Sequence, residues 1–87
     1  VGVAVAPDGG IVIADTRNFV IRHINPSGVI ETIAGTGAYE LTESSTDRLS
    51  FNLVGPSGIS WTQSGDLLVA EQYGQRILRL PDLWDAL

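Results

Sequence analysis

The sequence predicts an all-β fold of two consecutive four-stranded antiparallel meanders, the second incomplete, joined by a long polar loop. Three observations predict it. The chain repeats itself at an offset of 56 residues, which sets Gly2-Val3-Ala4-Val5 over Gly58-Ile59-Ser60-Trp61 and Ile11-Val12-Ile13-Ala14-Asp15 over Leu67-Leu68-Val69-Ala70-Glu71. Turn-forming groups punctuate short apolar runs at hairpin spacing. The apolar side chains are mostly Val, Ile and Leu, with only 7% aromatic residues, a composition suited to sheets.

The first copy reads as four strands. Val1 to Ala6 leads into Pro7-Asp8-Gly9-Gly10, whose Asp-Gly supplies the positive φ that a tight hairpin needs. Ile11 to Ala14 is almost wholly apolar, as expected of a strand covered on both faces. Asp15-Thr16-Arg17-Asn18 turns the chain into Val20 to Ile24. Asn25-Pro26-Ser27-Gly28 turns it again, into a half-exposed outer strand from Val29 to Ala34. The second copy repeats the pattern near Gly58–Trp61, Asp66–Ala70 and Arg76–Leu80, with Gly9 over Gly65, Ile21 over Ile77 and Ile24 over Leu80. Its fourth strand is missing. Pro81 to Leu87 has a helix-like start and reads as a terminal turn covering the sheet edge, with a degenerate fourth strand as the alternative.

Four antiparallel strands at hairpin spacing are the unit of a β-propeller blade. The expected organisation is therefore a first blade over residues 1–37, an inter-blade loop over 38–55, and an incomplete second blade over 56–87. The loop is rich in Ser, Thr and Glu, and its length marks it as functional or poorly ordered. Leu49, Phe51 and Leu53 alternate at its end and are expected to pin it to the core. The expected interior between the two sheets holds Val5, Ile13, Val69 and their neighbours.

Composition narrows the function classes. With 87 residues, 44% hydrophobic and 17% charged, the chain is globular in type and long enough for one small domain. Its formal charge of −5 sets it against a nucleic-acid backbone, so no nucleic-acid partner is expected. There is no cysteine, hence no disulfide and no thiolate metal site. No apolar run approaches the roughly 18 residues of a transmembrane helix. The start at Val1, within a strand pattern and without Met, reads as a fragment or a processed product.

Several segments carry a family resemblance: Pro56-Ser57-Gly58-Ile59-Ser60, the run from Asp8 to Asn18, Ile21-Arg22-His23-Ile24, and Thr32-Ile33-Ala34-Gly35-Thr36-Gly37. Together they resemble the NHL repeat, with its Pro-x-Gly-Val-Ala-Val opening, Asp-x-x-Gly-x-Ile-Tyr-Val-Ala-Asp centre and Asn-His-Arg-Ile-x-x-Ile close. The subfamily with Ala-Gly-Thr-Gly ends and long inter-blade loops is the most similar. The resemblance covers nearly the whole chain and implies a β-propeller. The family's Asn-His-Arg triplet is Asn18-Phe19-Val20 in one copy and Gly74-Gln75-Arg76 in the other, so pocket residues of particular members do not carry over.

The candidate chemistry is thin. Asp15 and Glu71 stand at equivalent strand ends and could pair as acid and base, but repetition at one site favours a structural role in which each accepts backbone hydrogen bonds from the following turn. His23, the lone histidine, falls short of a metal site and is expected on a blade surface. Arg17, Arg22, Arg76 and Arg79 are expected to pair with Asp15, Glu71 and neighbouring acids between blades, or to meet an anion at the propeller mouth. Trp61 at the end of an innermost strand and Tyr73 in a rim turn could line a binding face, with packing between blades favoured for Trp61. The possible interaction surface is therefore Arg17, Trp61, Tyr73 and Arg76. No catalytic residue, cofactor site or metal site is expected.

These features lead to a non-catalytic protein-interaction or scaffold segment. It would sit in a longer chain, bind a protein partner or larger complex, or self-assemble into a ring. The alternative is an enzymatic propeller, a lyase or hydrolase, whose catalytic residues lie outside this chain.

Overall fold

The computed structural model describes residues 2–37 and 52–87. The first sheet contains β1 (Val3–Val5), β2 (Ile11–Asp15), β3 (Val20–Ile24) and β4 (Ile30–Ala34), paired antiparallel in chain order. The second contains β5 (Pro56–Trp61), β6 (Leu67–Glu71) and β7 (Arg76–Leu80), again in chain order. The fold is all-β, with two antiparallel meanders of four and three strands. A single 3-10 turn at Thr16–Asn18 and a one-turn helix, α1 (Leu83–Ala86), are the other regular elements among the described residues.

The repeat is present in the hydrogen-bond register. Val3 pairs Ile13, Val5 pairs Ile11, and Ile11 pairs Ile24. At the same offset of 56, Ile59 pairs Val69, Trp61 pairs Leu67, and Leu67 pairs Leu80. The turns agree as well. Gly9 and Gly65 take φ of 88° and 87°, the left-handed conformation that glycine adopts without a Cβ penalty. In the next turn of each copy, Phe19 and Gln75 are both left-handed, at 59° and 53°. Two segments that share pairing register and left-handed positions are the same structural unit built twice.

The sheets meet through β1 and β2 on one side and β5 on the other. Ala6, Val12, Ala14 and Ile21 from the first sheet and Leu67 and Val69 from the second form the buried core, with Ile59, Trp61 and Leu78 packed against it. Gly2 permits the close approach, because a Cβ there would lie 2.6 Å from the carbonyl oxygen of Ser57. Val69 lies in the interior as expected, but Val5 and Ile13 do not. They belong to the opposite phase of their strands, and Val5 is 66% exposed. With apolar residues on both faces of β1 and β2, alternation carries no information about which face turns inward.

Leu53 is fully buried and fills the space beside Gly35, so the end of the inter-sheet connection is pinned to the core there. Residues 38–51 of that connection, Leu49 and Phe51 among them, lie outside the described residues. The terminal segment forms a turn and α1 rather than a fourth strand. It is anchored to the β5–β6 turn instead of the β7 edge: Trp84 N–H donates to the Gly65 carbonyl at 2.9 Å, and Asp82 N–H donates to Asp66 Oδ1 at 2.8 Å. Leu83 enters the core from this helix.

Candidate functional site

Asp15 and Glu71 close β2 and β6, and each is engaged by an arginine of its own sheet. Asp15 Oδ2 accepts from Asn18 Nδ2 at 2.9 Å and from Arg22 Nε at 3.0 Å, in a pair partly open to water. The Glu71 side chain is fully buried. Its Oε2 accepts the Val54 backbone N–H at 2.6 Å, and its carboxylate receives Arg76. Gly74 leaves the room this needs, since a Cβ there would sit 2.7 Å from Glu71 Oε1. Both carboxylates are structural, and the pairing of Asp15 and Glu71 with arginines is as expected. Asn18 and Arg22 donate to Asp15, and Arg76 and, from the segment that precedes β5, the Val54 N–H donate to Glu71. Arg22 and Arg76 pair within their own sheets rather than between blades, and Arg79 likewise faces Asp66 at 3.6 Å.

The four residues of the expected interaction surface do not converge. Arg17, Tyr73 and Arg76 stand at the end of the sheets where β2 turns into β3 and β6 into β7. Trp61 stands at the far end of β5, about 17 Å away along a six-residue strand. Arg17 and Tyr73 occupy equivalent places in the two copies and are exposed. Tyr73 lies across Gly55, where any Cβ would meet the ring at 2.4 Å. Arg76 is committed to Glu71. Trp61 is a fastener between the sheets: its Nε1–H donates to the Val5 carbonyl at 2.8 Å, and its ring meets Trp84 edge to face at 4.9 Å.

His23 was expected on a surface, and the structure buries it at 5% exposure. It lies on the inward phase of β3, opposite Val12. Its Nε2 is 3.0 Å from Asp8 Oδ2, off the line a hydrogen bond needs, and its Nδ1 is 3.4 Å from Glu31 Oε1. A histidine between two carboxylates is invisible to strand alternation, because Asp8 arrives from the β1–β2 turn and Glu31 from β4. Among the described residues no group of three His, Cys, Asp or Glu side chains is arranged to hold a metal ion, and no helix is long and apolar enough to cross a membrane.

Asp8 itself titrates below the ordinary carboxylate range. The Gly10 backbone N–H, donating to Oδ1 at 2.8 Å, is the largest cause; desolvation opposes it, and His23 adds to the lowering. A carboxylate whose folded pKa is depressed contributes stability above its unfolded value of about 3.8 and loses it as pH falls through the lower folded value. Thermal midpoints compared between pH 5 and pH 2.5 are expected to fall less steeply for Asp8→Asn than for the wild type. Equal acid slopes would show that Asp8 does not contribute.

The remaining surface feature is the pair of outward sheet faces. The first sheet presents Val3, Val5, Ile11, Ile13, Ile24 and Ile30, with Val3, Val5 and Ile30 all more than half exposed. The second presents a shallow open depression of about 310 Å³ lined by Gly58, Ile59, Ser60, Leu68, Ala70 and Ile77. Ile77 on its rim is 73% exposed. No protein-family model and no curated protein matches the chain.

Proposed function

We propose that this chain is a scaffold segment of an NHL-type β-propeller, non-catalytic in itself, that works inside a longer chain or a larger complex. One observation carries the reading: the outward faces of the two-sheet stack carry open apolar side chains, with Arg22 and Arg79 among them, and each repeats, at the offset of 56, one side of the buried junction. Val3, Val5 and Ile13 stand where Ile59, Trp61 and Val69 stand in the second sheet, and Ser60, Leu68 and Ala70 stand where Ala4, Val12 and Ala14 stand in the first. A stack whose two ends match its own interior is a section of a longer stack. The engagement of Asp15, Glu71, Arg22 and Arg76 in structural pairs supports a scaffold rather than a reaction centre.

Apolar sheet faces this open favour association, at about 25 cal/mol per Å² of surface removed from water. Light scattering on the isolated 87-residue chain is therefore expected to find associated species or loss of cooperative folding. A stable, cooperatively unfolding monomer of 9.3 kDa would overturn the reading.

A further inference from the structure

The two open faces differ in kind, and the difference says how they are used. At the buried junction, β1 and β2 contribute the smaller Ala4, Val12 and Ala14, with Ile21 beside them on β3, while the second sheet contributes the larger Ile59, Trp61 and Leu67 together with Val69. The open faces carry the same two textures exchanged. The second sheet now shows the small face, with its 310 Å³ depression, and the first shows the bulky one. Small against small would leave a void, and bulky against bulky would hold the sheets apart.

Glycine placement agrees independently. Gly2 lets the β5 backbone come close, since its Cβ would clash with Ser57 and Ile59. Gly58 occupies the equivalent place in the second sheet, and a Cβ there would meet only Ala70, at 3.8 Å. The room used at Gly2 is thus duplicated, and left open, at Gly58.

Resting on the scaffold reading, we infer that the small face around Gly58, Ala70 and Ile77 receives the bulky face around Val3 and Val5 of a second copy of this chain, head to tail. The contact is heterologous: it uses a different patch from each copy and cannot be made by a two-fold axis. In the isolated chain the second copy takes the place of the next sheet of the stack.

Two variants and their mixture test this. Val3→Glu/Val5→Glu charges the bulky face, and Ile77→Glu charges the small one. All three positions are well exposed, so the substitutions leave each sheet's interior intact. Each variant alone is expected to lose self-association and scatter as a single chain. An equimolar mixture is expected to form a 1:1 pair, because each partner retains the face the other has lost. If one variant alone still dimerises, the contact is two-fold through its intact face; the head-to-tail inference then fails while the scaffold reading stands. If the wild type is itself a folded monomer, both fail. Gly58→Val guards against misfolding by charge. Its methyl groups enter open space, so circular dichroism should be unchanged while association is lost, and wild-type association in this variant would overturn the inference.

Discussion

Glu71→Ala is expected to cost about 3 kcal/mol, because removing one partner of a buried ion pair strands the other and here also orphans a backbone donor. The Glu71 side chain has no exposure, and its loss leaves the Val54 N–H without its acceptor and Arg76 without its carboxylate. Asp15→Ala, at the equivalent position of the first sheet, is expected to cost under about 1 kcal/mol, since its pair with Arg22 is partly open to water. Urea midpoints of the two variants, measured at one fixed chain concentration because association is linked to folding, check the contrast. Equal losses at both sites would show that burial does not decide the matter.

Leu53→Ala is expected to be as severe, at about 3 kcal/mol, although Leu53 belongs to no strand. Truncating a fully buried leucine loses its transfer free energy and leaves a cavity, with a usual range of about 2–5 kcal/mol. Its δ-methyl lies 3.0 Å from where a Cβ of Gly35 would be, so the connection entering the second sheet is packed against the exit of the first. A midpoint shift no larger than that of an exposed truncation such as Ile77→Ala would refute this. Leu53 would then be a passive passenger of the connection.

Much of the fold was legible because turn chemistry is local. Asp8-Gly9, Asn25-Pro26-Ser27-Gly28 and Ser64-Gly65 mark the hairpins by the φ they need, and the strands between them follow. The phase of the strands was not legible. In Val3-Ala4-Val5-Ala6 and Ile11-Val12-Ile13-Ala14 every residue is apolar, so burial of Val12 and Ala14 in place of Val5 and Ile13 is decided only by what packs across. In β6 the same ambiguity happened to fall correctly on Val69.

The candidate site was less legible still. Glu71 and Asp15 are alike in sequence position, yet one is sealed and the other half open. The difference comes from Val54 and Gly74, one remote along the chain and the other defined by the side chain it lacks. His23 was misplaced for the same reason, since both carboxylates facing it come from neighbouring elements. Trp61 is the exception. Its position over Val5 in the repeat puts an indole where the first copy has an aliphatic residue, and the indole reaches back to that residue's own carbonyl.

The same tryptophan makes the junction observable by light. The chain has two tryptophans, Trp61 and Trp84, and their rings meet edge to face at the place where the β5–β6 turn, α1 and the edge of β1 come together. Neither the strands nor the turns of the first sheet carry a tryptophan or a tyrosine. Indole emission therefore follows the detachment of α1 and the parting of the two sheets, while disorder confined to β3 and β4 leaves it unchanged. A fluorescence transition that precedes the far-ultraviolet dichroism transition would mark a state in which the hairpins persist after the stack has opened.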